Sequence, residues 1–307
     1  MNADRPSATA LIVAAGLTAL AHDRQLGRFV TPAAAAFGAR AIGASPGPLR
    51  WLLPQIERRA FRLALGAIER AILPGILFHY ALRKCAIEDA VRQGIAAGIG
   101  QLVVLGGGFD TLALRLAHEF PALVCIEIDH PATQRVKRQV LTAGETPPSN
   151  LTLLPADLAQ VSLTDLLQGC PAYNLAQPTF FVAEGLLMYF PAPAVSVLFH
   201  AIQSTASPGS RFAFTAMQPR PNQTIGFLGT SPLLDHWLRW RGEPFRWALP
   251  RAALPMYLNA YGFVLEAVIT TATLRRHYLA PSGLTHRPLA VGEYLCLAHV
   301  KSRADSI

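Results

Sequence analysis

Three consecutive glycines, Gly106-Gly107-Gly108, follow the apolar run Gln101–Leu105 and precede Phe109-Asp110-Thr111. This order reads as a buried strand that ends in a glycine turn, with a helix starting just after it. Glycines let the backbone approach a ligand closely, and a helix N-terminus presents free N–H groups. The expectation is a nucleotide-type site at the carboxyl end of the first strand. A dinucleotide fingerprint, G-x-G-x-x-G, would need glycine at position 111, where this chain has Thr111. Without that third glycine, close packing around a pyrophosphate is disfavoured. A cofactor lacking phosphates fits better.

Acidic residues recur where the next strands end. Glu127-Ile128-Asp129 closes the run Leu123–Ile128, and Asp129 lies 23 residues after Gly106. That spacing suits one βαβ unit, and an acid there can accept hydrogen bonds from ribose hydroxyls. Asp157, in Pro155-Ala156-Asp157-Leu158, follows a third short apolar run, and Glu184 follows Thr179–Ala183. Alone, each would pass for a cap or a surface acid. Together they outline one crevice at the carboxyl ends of parallel strands.

The elements that must position these groups alternate. Strands are expected at 101–105, 123–128, 151–154, 179–183 and 211–216. Helices are expected at about 110–119, 131–143 and 193–205. This alternation implies βαβ units and a parallel sheet. Residues 7–98 read as helical, rich in Ala, Leu and Arg, with breaks at Thr31-Pro32, Ser45–Pro48 and Leu73–Gly75. Residues 218–250 read as irregular, and a helix follows at about 251–261. Residues 263–270 and 292–300 read as two strands joined by a loop, an antiparallel pair at a sheet edge.

Composition narrows the classes. The 307 residues are 51% hydrophobic and 15% charged, with a mean hydropathy of +0.30, so the chain is not disordered. No charge-free apolar run is long enough to span a bilayer. The formal charge is +8, carried almost wholly by arginine in scattered pairs such as Arg58-Arg59 and Arg275-Arg276. No basic stripe with interleaved aromatics suggests nucleic acid as a partner. Cys85, Cys125, Cys170 and Cys296 form no C-x-x-C pair, and the nine histidines show no metal-ligand spacing, so free thiols and no metal are expected. The uncharged segment Ser7–Ala21 has the look of a secretory apolar region, but Asp4 cancels Arg5 ahead of it, and a buried helix in a cytoplasmic protein is the reading adopted. Gly43-Ala44-Ser45-Pro46-Gly47 spells G-x-S-x-G, yet a nucleophile elbow needs a strand before it, and here an Ala-rich helix precedes it. Among the tryptophans, Trp237, Trp240 and Trp247 read as lid and core packing, and His130 as a polar loop residue.

These motifs, in this order, resemble the leucine carboxyl methyltransferase-like group of class I S-adenosylmethionine-dependent methyltransferases, including its bacterial O-methyltransferase branch. The resemblance rests on Ala81-Leu82-Arg83-Lys84, VVLGGGFDTLALRL (103–116), IEIDHPATQRVKR (126–138), Ala156-Asp157-Leu158 and VAEGLLMYFP (182–191), with weaker echoes at SATALIVAAGL, GEPFRW (242–247) and GEYLCLA. It covers nearly the whole chain. It implies a Rossmann-like, doubly wound, mostly parallel seven-stranded α/β sheet with an antiparallel last strand. A helical cap at 1–98 would cover a core at 99–307, with 218–250 as a lid-like insertion in one compact unit.

By the same resemblance, Gly106 and Gly108 would line the methionine part of S-adenosylmethionine, and Arg83 would bind its carboxylate. Asp129 would take the ribose, Asp157 and Leu158 would flank the adenine, Glu184 would sit near the amino group, and Tyr189 near the substrate. Gly16 stands where the family commonly has an arginine, and Thr31-Pro32 where it has Asp-Pro. The expected reaction is O-methylation of a carboxylate on a largely apolar small molecule. A hydroxyl of a polyketide-like or aromatic metabolite, a nicotinamide-dependent oxidoreductase and a non-catalytic cofactor-binding protein stay open as alternatives.

Overall fold

A computed structural model describes residues 6–45, 50–51, 53–144 and 146–301. Five helices come first: α1 (Ala8–Ala21), α2 (Pro32–Ala44), α3 (Leu53–Ile56), α4 (Arg59–Ile72) and α5 (Ile76–Ala96). Their starts follow local chemistry. The Ser7 hydroxyl caps α1 by accepting from Ala10 N–H, and the Thr31 hydroxyl caps α2 with Pro32 in the first turn. Gly75, at φ +77°, turns the chain into α5. A side chain there would be strained by φ and would also strike the backbone of Pro288.

Strands and helices then alternate: β1 (Gln101–Leu105), α6 (Leu112–Glu119), β2 (Val124–Asp129), α7 (Pro131–Gly144), β3 (Leu151–Pro155), α8 (Leu163–Gln168), β4 (Thr179–Ala183), α9 (Ala192–Thr205) and β5 (Arg211–Met217). The tail adds α10 (Pro232–Trp240), α11 (Leu254–Ala260), β6 (Phe263–Ile269), α12 (Thr271–Leu274) and β7 (Glu293–Val300). The seven strands lie in the order β3-β2-β1-β4-β5-β7-β6. β1 to β5 are parallel, and β7 runs antiparallel between β5 and β6. The expected mostly parallel seven-stranded α/β sheet is therefore present.

Side chains alternate across the sheet. Val103, Ile126, Phe181 and Phe212 face α8, α9 and α11, where Phe199 meets Phe212 and Phe214 edge-on. Leu102, Val104, Cys125, Phe180 and Val182 face α5 and α6. The N-terminal helices pack directly on these layers. Leu11 and Ala14 of α1 and Phe37 of α2 share a core with Val136 and Val140 of α7. Gly16 lets α1 pass close to α5, because any side chain there would strike Leu77.

Two expectations change. Residues 218–250 are not wholly irregular: α10 occupies 232–240, capped by the Ser231 hydroxyl with Pro232 in its first turn. The loop expected between the last two strands holds α12, which runs on into a π-turn at Arg275–Leu279. Leu274 and Leu279 are buried there, and packing outweighs the weak helical signal of TATLRRHYL.

Candidate functional site

One cavity opens where β1, β2 and β4 end, at the point where strand order reverses between β1 and β4. Its floor is the glycine turn. Gly106 and Gly108 adopt φ +65° and +54°, and Gly106 N–H donates to the Ile128 carbonyl (2.8 Å). Gly107 is small for another reason: a Cβ there would lie 2.6 Å from Cδ of Glu127. Glu127 is buried beneath the turn and paired with Lys137 Nζ at 2.6 Å. Burial pushes its carboxyl up to about 7 even against that cation.

A chain of polar side chains forms one wall, backed by His79 behind it. His79 Nε2 lies 3.0 Å from Glu293, and Glu293 is 2.6 Å from Arg83 Nη1. Arg83 Nη2 is 2.7 Å from Glu184, and Lys84 Nζ reaches Glu184 at 3.0 Å and Asp110 at 2.7 Å. Burial raises the Glu293 carboxyl, but Arg83 and His79 outweigh it and hold it at about 2. Partial burial likewise raises the carboxyl of half-buried Asp110, but Lys84, Arg115 and Lys137 outweigh it and hold it well below the usual carboxylate range. Asp129 accepts the N–H groups of Gly108 (2.5 Å) and His130 (2.6 Å), while burial still moves its carboxyl upward.

The remaining wall is apolar and aromatic: Leu186, Met188, Tyr189, Tyr80 and Phe227, with Val13 and Leu17 of α1 opposite. The Tyr189 ring packs on Phe245 with centroids 5.5 Å apart. Burial drives the Tyr80 and Tyr189 phenols well above their ordinary values, so both stay protonated donors. α1 is held over the cavity from a distance in sequence. The Glu243 carboxylate accepts Ala8 N–H and Thr9 N–H at 3.2 Å each, and also the Thr9 hydroxyl.

The sequence model of the leucine carboxyl methyltransferase family matches residues 9–203. This chain belongs to that family. A Mycobacterium tuberculosis protein assigned as an S-adenosyl-L-methionine-dependent methyltransferase is 29% identical over 259 residues, which is 74% of this chain and 80% of the relative. A Mycolicibacterium gilvum relative with the same assignment is 30% identical over 209 residues, 66% of this chain and 67% of its own. The fold is shared with a DUF574 family protein of Streptomyces avermitilis (TM-score 0.58, 14% identity, 86% of this chain and 97% of that one). It is also shared with a Thermobifida fusca protein assigned as a methyltransferase (TM-score 0.56, 18% identity, 86% and 94%). Membership carries the coarse activity with it: the chain is an S-adenosylmethionine-dependent methyltransferase.

The cavity of this leucine carboxyl methyltransferase relative fits a sulfonium cofactor. Two cations, Arg83 and Lys84, line it against four carboxylates, Asp110, Asp129, Glu184 and Glu293. That excess of negative charge suits a ligand carrying a net positive charge. Of the residues expected from sequence, Arg83, Gly106, Gly108, Asp129, Glu184 and Tyr189 line this one cavity. Asp157 and Leu158 do not. The Asp157 carboxylate is spent within its own turn, on Ala159 N–H and Gln160 Nε2 (3.0 Å each), and Leu158 packs on the core.

His130 starts α7, with Nδ1 accepting Ala132 N–H, and it stays off the cavity. Ser45 donates its hydroxyl to the Ala41 carbonyl at the end of α2, with no strand before it; the rest of that G-x-S-x-G lies outside the described residues. Trp247 is core, whereas Trp240 is 72% exposed. Among the described residues, no group of three or more His, Cys, Asp or Glu side chains is arranged to hold a metal ion.

Sequence reasoning missed Lys84, Asp110, Glu243 and Glu293 as site residues. Lys84 and Asp110 had a signal, being neighbours of Arg83 and of the glycine turn. Glu243 and Glu293 lie in the weaker echoes GEPFRW and GEYLCLA, but nothing local showed what they meet, because their partners lie more than 200 positions away.

Proposed function

We propose that the chain transfers a methyl group to the carboxylate of a largely apolar small molecule, giving a methyl ester. One observation carries this reading: the cavity wall offers donors but no free base. Among the described residues, no histidine lines it. Asp110, Glu184 and Glu293 are each ion-paired, and Asp129 accepts two backbone N–H groups. A hydroxyl acceptor usually needs a base to take its proton. A carboxylate is already ionised near neutral pH and needs none.

Bound S-adenosylmethionine supplies a methyl group activated on a sulfonium. Gly106 and Gly108 would line its methionine part, Asp129 its ribose hydroxyls, and Glu184 its ammonium group. Asp157 and Leu158 would stand on the adenine side, beyond the cavity wall. Arg83 is the cation that the family resemblance assigns to the cofactor's carboxylate. Its guanidinium is already matched by Glu184 and Glu293, so Lys84, with a third N–H beyond its bonds to Asp110 and Glu184, is the better-placed partner.

The chain's own contribution is positioning and exclusion of water. Tyr189 and Tyr80, kept protonated by burial, would donate to the acceptor carboxylate and aim one oxygen at the methyl carbon. Leu186, Met188 and Phe227 would strip water from the nucleophile.

The test uses S-adenosylmethionine labelled in its methyl group, with a panel of apolar carboxylic acids and of phenols. Base-labile label on an acid is the expected product. Base-stable label confined to phenols would replace the ester reading with the hydroxyl one. Calorimetric binding of the cofactor with no label on either class would overturn the carboxylate reading and mean that the acceptor belongs to another class.

A further inference from the structure

α4 is a helix without a core. None of its 14 residues is buried, yet Leu63, Ala64, Ala67, Ile68 and Ala71 recur along one exposed stripe. Its one acid is turned inward, where Glu69 Oε1 accepts Leu77 N–H at 3.1 Å. Arg59 and Arg70 border the stripe, and both are exposed, as is Arg58 just before the helix.

α10 repeats the arrangement. Leu233 and Trp240 are 72% exposed, beside exposed Arg239 and Arg241. Its acid, Asp235, is taken by Arg220 at 2.9 Å. The two helices meet where Ser231 N–H donates to the Ile72 carbonyl (3.0 Å), so Ile68 and Leu233 each lie within about a turn of the junction. Arg241 stacks on Trp240 at 5.6 Å.

We infer that this face docks onto an anionic membrane surface. Leucine, isoleucine and tryptophan beside arginines are the side chains that sit at a headgroup boundary, with apolar parts inward and guanidinium groups among phosphates. Of the acids on these two helices, one bonds backbone and the other is ion-paired, so the face presents cations; exposed Glu57, two residues before α4, is an exception. That charge pattern argues against a second copy, because an isologous contact would set like-charged arginines against each other. No helix among the described residues is long and apolar enough to cross a membrane. The geometry is one of lying on the surface. The inference does not depend on the methyl acceptor.

The test is co-sedimentation of the full chain with vesicles of phosphatidylcholine alone or mixed with phosphatidylglycerol. Binding to the mixed vesicles that weakens with added salt is expected, with little binding to the neutral ones. The double variant Leu63→Glu/Ile68→Glu should lower it by about tenfold or more, and Trp240→Ser should weaken it too. Arg59→Glu/Arg70→Glu tests the charge separately. Cofactor binding and the far-ultraviolet circular dichroism of each variant should match the parent, which shows that the fold survives. Equal binding to neutral vesicles, no binding to either, or no change in any of the variants would overturn the inference. So would a dimer at sedimentation equilibrium that the same substitutions dissolve.

Discussion

Arg83 and Glu293 lie 210 residues apart in the chain, and their side chains meet at 2.6 Å in a buried ion pair. The pair ties α5 to the start of β7, and through Glu184 it reaches the end of β4. Taking both charges out of water is costly, and each repays the other only while both are present. Arg83 is therefore part of a preset wall before any ligand arrives.

Glu293→Gln should remove one of the two partner charges of buried Arg83, with Glu184 left as the other. Because Glu184 still neutralises part of that charge, the loss should fall below the roughly 3–5 kcal/mol of a fully orphaned buried ion, read by chemical denaturation. The pH dependence has a definite sign. Glu293 is held at about 2 in the fold against an ordinary value of 4.5, so the folded state favours its ionised form. Its contribution is complete above about 4.5 and fades as pH falls toward 2. Asp110, also depressed, adds to the loss at the acid end. The Gln variant should show a flatter stability profile over that acid range than the parent. Parallel profiles would mean that the pair does not govern acid sensitivity.

Gly107→Ala should be costly although its backbone is not left-handed. The new methyl would fall 2.6 Å from Cδ of Glu127, which is pinned by Lys137 and cannot step aside. A loss of about 1–3 kcal/mol is expected from thermal or chemical unfolding, together with weaker cofactor binding as the turn shifts. Unchanged melting would show that the turn is looser than this packing implies.

Glu243→Ala should free the N-terminus of α1. The carboxylate caps the helix through Ala8 and Thr9, so about 1–2 kcal/mol is at stake. Amide exchange at Ala8 and Thr9 should speed up markedly, measured by mass spectrometry. Because α1 lines the cavity through Val13 and Leu17, cofactor affinity should fall with it.

Asp129 and Asp157 should separate in a calorimetric titration. Asp129→Ala, which removes a carboxylate that lines the cavity, is expected to weaken S-adenosylmethionine by about tenfold or more, some 1.4 kcal/mol. Asp157→Ala, whose carboxylate serves its own turn, should stay within about threefold of the parent. The reverse order would place the ribose and adenine differently from the reading above.

Much of the site is written locally. The glycine turn, Asp129 and Glu184 are all strand-end features, and a parallel sheet delivers every strand end to the same edge. The helix α10 was also legible in principle, through Ser231-Pro232, but the surrounding Pro, Gly and Trp hid it. Sequence alone determined the alternation of strands and helices, the family and the strand ends that frame the cavity, because each rests on short motifs read along the chain. Only the tertiary structure decided that Glu293 and Glu184 share Arg83, that Glu243 caps α1 and that Asp157 stands off the cavity. It also decided that the apolar stripe of α4 faces outward. Periodicity reports that a helix has an apolar face, but what covers that face, and which distant charge meets which, depends on packing between segments hundreds of residues apart.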